Sequence, residues 1–327
     1  MKKTVSVVLP NYNGKKLMEM YLPSVITALK NAEVGYELII VDDCSKDDSV
    51  AFIREHYPEV NLLVNETNLG FGGTCNRGIA AARMELTLLL NSDVQLEPDY
   101  FEAQWKYFEH DDTFGVMGRI MSKDGEYIED AARILFYLGC RIKANRFYYN
   151  ENAEEWAYTA YLSGANALVN TAKLRELNGF DEIYSPFSSE DSDLSTRAWL
   201  LGWKCYYEHA SVCYHQVSGS IKKNVRSRLV STVYFRNRFI FQQIHLSGFR
   251  AYVLPLYILV MEVLAKSLIG KFWIWTSYRE YLEMAEQIRQ SKEHFSSLKN
   301  KHASSLSIDD IMIIIRNSIS NRQVVRL

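Results

Sequence analysis

The chain is 327 residues long, 48% hydrophobic and 23% charged, with a formal net charge of -2. Such a length exceeds one ordinary core and predicts a large domain with an appendage, while the near-neutral balance gives no bulk reason to expect nucleic-acid binding. Five cysteines (Cys44, Cys75, Cys140, Cys205 and Cys213), odd in number and without a C-x-x-C pair or zinc spacing, argue against a disulfide framework and read as reduced packing residues.

In chain order, Met1 to Lys3 run straight into a strand at Val5 to Leu9 without a secretory signal, so the folded part is expected in the cytoplasm. Lys15 to Lys30 carries Leu17, Met20, Tyr21, Ile26 and Leu29 at helical spacing, and Leu38 to Val41 is a second strand. An apolar stretch at Val60 to Val64, a Gly-rich turn, a helix near Gly73 to Ala82 and a strand at Leu86 to Leu90 continue the alternation. This pattern predicts an α/β fold with helices on both faces of the sheet and ligands at the carboxyl ends of the strands. Next come a helix at Pro98 to Glu109, a strand at Val116 to Met121 and a turn at Asp124-Gly125, where mixed sheet is expected. Tyr158 to Val169 reads as a strand or a strand plus turn, Ser189 to Leu201 as a helix, and Trp203 to Tyr207 and Val212 to His215 as two short strands.

Beyond about Gly219 the composition turns basic and aromatic and reads as helical. No Asp or Glu occurs between His209 and Met261, whereas Lys222, Lys223, Arg226, Arg228, Arg236, Arg238 and Arg250 all do. Ala251 to Met261 is apolar but too short to span a bilayer, and Glu262 and Lys266 interrupt the residues after it, so the helices are expected to dock on a membrane surface rather than cross it. The expected domains are therefore 1–220, comprising a nucleotide-binding half (1–95) and a second half (96–220), and a helical region at 221–327.

Several segments carry chemistry. Pro10-Asn11-Tyr12-Asn13-Gly14 and Val41-Asp42-Asp43-Cys44-Ser45 follow the first two strands, where an aromatic ring can stack on a base and a carboxylate can accept from a base N–H or a ribose hydroxyl. Plain turn chemistry is the alternative. The run Asn68 to Gly78 gives a Gly-rich helix entry that can cradle phosphate, with Arg77 near its start, or simply a tight turn. Asn91-Ser92-Asp93 places a carboxylate just after a buried strand, suited to a divalent cation that grips phosphate or to a turn cap. Ser188 to Asp193 sets three carboxylates (Glu190, Asp191, Asp193) at a helix start, more than capping needs, so one can serve as a general base. His215 can complete a metal site or act as a structural hydrogen-bonder.

In order, these segments, with Asn178-Gly179-Phe180-Asp181 and Gly202-Trp203-Lys204, resemble the family 2 inverting glycosyltransferases over roughly Val5 to Ser220. The resemblance implies the GT-A fold, a nucleoside-diphosphate sugar donor, Mg2+ or Mn2+ as cofactor, and a glycan or lipid-linked glycan acceptor. By position it makes Asp191 the catalytic base with Glu190 in support. Pro10, Tyr12, Asn13, Asp42, Asp43, Gly70, Arg77, Asn91 and Ser92 fall on the donor, with Arg77 near the diphosphate, and Asp93 and His215 fall on the metal. Asn91 stands where the family's motif begins with Asp. Leu162 to Asn166 resembles the stretch lining the acceptor side. The overall look is closest to members that extend bacterial surface polysaccharides, described as rhamnosyltransferase-like, peripheral at the inner face of the membrane. The rival readings are a nucleotidyltransferase, a glycoside hydrolase and an inactive binding or scaffolding protein. Asn11 to Lys15 lacks the Gly-rich basic loop of the first, and the second needs no nucleotide crevice.

Overall fold

The computed structural model describes residues 2–150, 152, 155–216 and 227–327. The expected boundary near Gly219 and the basic residues Lys222, Lys223 and Arg226 lie outside the described residues.

Strand β1 (Val5–Asn11) is buried along nearly its whole length, as its unbroken apolar run requires of a central strand. Helix α1 (Lys15–Ala32) follows and buries Met18, Tyr21, Leu22, Val25, Ala28, Leu29 and Ala32, one face at three- and four-residue spacing. Strand β2 (Tyr36–Asp42), helix α2 (Ser49–His56), strand β3 (Asn61–Val64), helix α3 (Gly70–Ala81) and strand β4 (Leu86–Leu90) complete the first half. β3, β2, β1 and β4 lie side by side, all parallel, so their carboxyl ends share one edge.

After β5 (Val94–Leu96) the segment expected as a helix from Pro98 is a shorter 3-10 helix at Glu102–Glu109, packed on the sheet by buried Trp105, Tyr107 and Phe108. β6 (Thr113–Ser122), β7 (Ile128–Asp130), β8 (Ala132–Leu138) and β9 (Arg141–Asn150) follow, then β10 (Ala157–Tyr158), β11 (Asn166–Asn170), α4 (Thr171–Glu176), α5 (Glu190–Leu200) and β12 (Lys204–His215). The purely parallel expectation ends at β4: β11 enters antiparallel between β4 and β6, and β12 runs parallel to β6, giving a mixed ten-strand sheet among the described residues. Where two strands were expected there is one, β12, with a register shift between Glu208 and Val212. Glu208 holds that bulge by accepting from the Ala210 N–H and the Tyr107 hydroxyl and by pairing with Lys106.

β8 and β9 form a hairpin that leaves the main sheet and is extended by β13 (Val324–Arg326). The C-terminal region is helical, as expected: α6 (Ser227–His245), α7 (Gly248–Tyr257), a π turn (Ile258–Leu264), α8 (Ala265–Leu268), α9 (Ile274–Glu283), α10 (Ala285–Lys301) and α11 (Ile308–Ile319). It is not a loose appendage. Ile240, Leu254, Ile258, Val263 and Ile315 belong to the same hydrophobic cluster as β1 and β4. From α7 through α8 the chain is one continuous helix, Gly248–Leu268, long and apolar enough to cross a membrane by length and composition, which corrects the reading of a short apolar run. The interruptions at Glu262 and Lys266 turn inward: Glu262 is buried and pairs with both Arg141 and Lys266. The opposite face exposes Phe249, Tyr252, Leu256, Leu268 and Ile269. The five cysteines are free, and Cys75, Cys205 and Cys213 are buried.

Candidate active site

The parallel register brings the first two motifs together. Asn11, directly opposite Asp42, donates from Nδ2 to Asp42 Oδ1 at 2.8 Å, and the Ser45 N–H donates to Asp42 Oδ2 at 3.0 Å. Asn13, left-handed at φ 53°, ties the two turns: its N–H donates to Ser45 Oγ and its Oδ1 accepts from the Lys46 N–H. Pro10 is half-buried at the end of β1, and the Tyr12 ring, 41% exposed, stands over the crevice. Asp43 is buried and accepts from Asn65 Nδ2, the Leu69 N–H and the Gly70 N–H at 2.8, 2.8 and 3.1 Å, so its carboxylate clamps the Gly-rich turn against β2. Gly70 is needed there twice over: its φ is +75°, and a Cβ would meet the Pro186 backbone at 2.9 Å.

Arg77 is tied to the end of β3. Its Nη1 donates to the Val64 carbonyl at 2.7 Å and to Asn65 Oδ1, holding it at the end of β3. Since β3 is three strands from β4, that is roughly 14 Å from the strand that Asp93 follows.

On the β4 side, the Asn91 N–H donates to the Ala165 carbonyl, Ser92 is half-buried and Asp93 is buried. β12 pairs with β5 so that His215 faces Val94, which brings His215 Nε2 to 3.5 Å from Asp93 Oδ1. Its Nδ1 lies 2.9 Å from Glu129 Oε2, a partner 86 residues away that the sequence did not signal. Burial alone would lower the imidazole pKa, but Asp93 and Glu129 raise it to about 9. Among the described residues no group of three or more His, Cys, Asp and Glu side chains is arranged to hold a metal. Asp93 and His215 therefore fit a cation only as two of its ligands, the others coming from the substrate's phosphates, and the incoming cation would displace the proton on Nε2.

The acidic cluster at the start of α5 divides into two jobs. Asp193 anchors the helix: it is fully buried and bonded to Arg197, His245 and the Tyr184 hydroxyl at 2.7, 2.7 and 3.0 Å. Burial would raise its carboxyl pKa, but Arg197 and His245 hold it down at about 2. Arg197 spends its remaining N–H groups on the Leu177 and Gly179 carbonyls. Ser195 accepts from the Leu162 N–H, and Trp199 donates to the Thr159 carbonyl. With the helix so fixed, Glu190 and Asp191 are left facing a cavity of about 310 Å³.

The capping account of Asp191 fails, because α5 has no side-chain cap and Asp191 Oδ2 instead accepts from the Gly164 N–H at 3.0 Å. Asp191 Oδ1 and Glu190 Oε2 are buried without a hydrogen-bond partner. Burial pushes both carboxyl pKa values above the ordinary range, and repulsion from Asp191 raises Glu190 further. Asp191 lines the cavity, and a buried carboxylate with one unsatisfied oxygen is suited to accept a proton.

Two neighbours support this arrangement: Gly164, within the stretch expected on the acceptor side but without an assigned role, and Asn237, which the sequence did not signal. Gly164 packs against the carboxylate, and a Cβ there would lie 2.6 Å from Asp191 Oδ1. Asn237 of α6 donates from Nδ2 to the Tyr184, Phe187 and Ser188 carbonyls. It thereby holds the left-handed Ser188 and Ser189 (φ 80° and 79°) that lead into α5.

Residues 6–177 match the model described as glycosyl transferase family 2. The chain is 25% identical over 256 residues to the N-acetylglucosaminyl-diphospho-decaprenol L-rhamnosyltransferase of Mycobacterium tuberculosis, covering 71% of this chain and 82% of that protein. It is 31% identical over 124 residues to an uncharacterized glycosyltransferase of Nostoc sp., covering 37% of this chain and 38% of the relative. Among solved structures, GalNAc-T7 with UDP, GalNAc and Mn2+ superposes with a TM-score of 0.68 at 15% identity, over 97% of this chain and 56% of that one.

Proposed function

The chain belongs to glycosyl transferase family 2 and has its GT-A fold, and from that premise we propose that it is an inverting glycosyltransferase with Asp191 as general base. It moves a sugar from a nucleoside-diphosphate donor to a hydroxyl of a glycan or lipid-linked glycan. The observation that carries this reading is Asp191, which lines the cavity with one oxygen unpaired and is held by the Gly164 N–H beside the end of β4 that Asp93 follows.

In the proposed reaction Asp191 Oδ1 takes the proton of the acceptor hydroxyl while that oxygen attacks the anomeric carbon. The bond from that carbon to the diphosphate oxygen breaks on the opposite side, and its electron pair leaves with the diphosphate. Gly164 keeps the base oriented through Oδ2, which leaves Oδ1 for the proton. Burial and the neighbouring Asp191 raise the Glu190 carboxyl pKa, which favours its protonated form beside an ionised Asp191. Tyr12 stacks on the base, Pro10, Asn13, Asp42 and Asp43 shape its seat, Arg77 borders the nucleoside, and Gly70, Asn91 and Ser92 line the path to the phosphates. Asp93 and His215 are the side chains that would hold Mg2+ or Mn2+, which would supply positive charge opposite the departing diphosphate.

In this reading domain 1–220 carries the donor site and the base, and domain 221–327 supplies attachment along with part of the cavity wall through Arg238 and the support of Asn237. The exposed apolar face of Gly248–Leu268 supports docking on the cytoplasmic surface of a membrane, and its bolted inner face (Leu254, Ile258, Glu262, Val263) supports lying on the bilayer rather than crossing it. A screen of nucleoside-diphosphate sugars for turnover and thermal stabilisation, with and without Mn2+, tests the reading. Turnover of at least one donor is expected, and stabilisation by none would contradict it.

A further inference from the structure

The cavity in front of Asp191 has walls of opposite charge. Glu190 and Asp191 form one side, and Arg133, Lys143 of β9 and Arg238 of α6 lie on the others. Arg133 is already engaged: it forks onto Asp130 and lies between the rings of Phe147 and Tyr161. Arg141 and Lys266, close behind, share Glu262. Glu262 lies near enough to act on Lys143, but neither Lys143 nor Arg238 forms an ion pair among the described residues, and Arg238 rests on the Tyr234 and Phe235 rings. Burial, then Arg238, Arg141 and Lys266, lower the Lys143 pKa to about 8, so these cations stand close enough to repel one another. A wall of this kind costs stability when empty and gains charge-assisted hydrogen bonds when an anion of several oxygens enters. The volume suits a small ligand.

We propose that Lys143 and Arg238 bind a phosphate or diphosphate group carried by the acceptor, while a hydroxyl of the same acceptor's sugar reaches Asp191. This deepens the transferase reading and rests on it for the role of Asp191. In the transferase reading the donor's own diphosphate has a different place, beside Asp93 and His215, which meet where β12 pairs with β5. Glu262 and Lys266, which close the cation cluster, belong to the helix whose outer face is exposed and apolar. A chain extending from the phosphate would therefore meet an apolar surface nearby.

The test is titration calorimetry on the full chain in EDTA, with geranyl diphosphate and inorganic pyrophosphate as probes and geraniol as the neutral control. Both anions should bind and geraniol should not. Lys143→Gln and Arg238→Gln should each weaken anion binding about tenfold or more, the usual yield of one charge-assisted hydrogen bond. Lys143→Arg, which keeps the charge, should restore most of it and shows that the fold is intact. Asp93→Ala should leave anion binding unchanged. Tighter binding of geranyl diphosphate would identify a lipid-linked acceptor and equal binding a free glycosyl phosphate, and either supports the site. Unchanged affinity in both Gln variants, or binding lost in Asp93→Ala instead, would overturn it. The two readings fail separately: absence of sugar-nucleotide turnover with Lys143-dependent binding intact sinks only the transferase reading, whereas turnover indifferent to both Gln changes sinks only the phosphate seat.

Discussion

Gly164→Ala perturbs the base without touching its chemistry. The new Cβ would lie 2.6 Å from Asp191 Oδ1 and 3.1 Å from Phe71 Cζ, where ordinary contact begins near 3.4 Å, so the carboxylate must retreat by about 0.8 Å. Because α5 is locked by Asp193, Arg197, Ser195 and Trp199, the helix cannot follow, and the side chain alone must turn or the Gly164 N–H bond must break. A misplacement of about 1 Å at a reacting group costs on the order of a hundredfold in rate, and overpacking about 1–3 kcal/mol in stability. The assay is steady-state transfer at saturating donor, beside the thermal shift given by the nucleoside diphosphate with Mn2+. The rate should fall about a hundredfold while the thermal shift persists, since the donor edge lies at β1, β2 and β4. A folded Gly164→Ala protein with near wild-type turnover would refute the placement of the base.

Asp193→Asn should lower stability by about 3–5 kcal/mol by leaving Arg197 and His245 without their buried partner, with turnover per folded molecule largely kept; thermal unfolding beside the rate checks this. Asp93→Ala should remove the Mn2+-dependent part of nucleoside-diphosphate stabilisation, and His215→Ala should weaken it; an unchanged increment in Asp93→Ala places the cation elsewhere. Glu190 has a folded pKa raised by burial and by Asp191, so the folded state holds its proton more tightly and stability falls as pH rises above the ordinary glutamate value. Glu190→Gln should thus raise the melting temperature on the alkaline side and change little on the acid side, and the opposite trend would show that Glu190 is not buried with its proton. Replacing Phe249, Tyr252 and Leu256 together by Ser should abolish flotation with anionic liposomes, and flotation unaffected by the change counts against the apolar face as the contact.

Whatever chemistry stays local could be read from the sequence. β1, α1, β2 and β4 announce themselves by unbroken apolar runs or helical spacing, and the parallel register then carries Asn11, Asp42 and Asp93 to one edge. Strands β8 and β9 escaped because their exposure is irregular and their third partner, β13, lies at the far end of the chain. The acidic cluster showed its composition but not its division of labour. Asp193 and Asp191 differ only through His245, Arg197 and Gly164, and two of these contacts span 27 and 52 residues. Asn237 was hidden for the same reason, inside a helix that reads only as basic and aromatic. The motif singled out Arg77, but its partners Asn65 and the Val64 carbonyl belong to a turn without distinctive spacing.

The most direct test of the account is the transfer rate of Asp191→Asn, measured with its melting temperature and donor affinity on one preparation. Asn keeps the size and still accepts from the Gly164 N–H, but it cannot take up the acceptor's proton. A stable protein that binds donor as the wild type does and transfers no sugar is the predicted result; near wild-type transfer by a folded Asp191→Asn protein would contradict the claim that this carboxylate is the base.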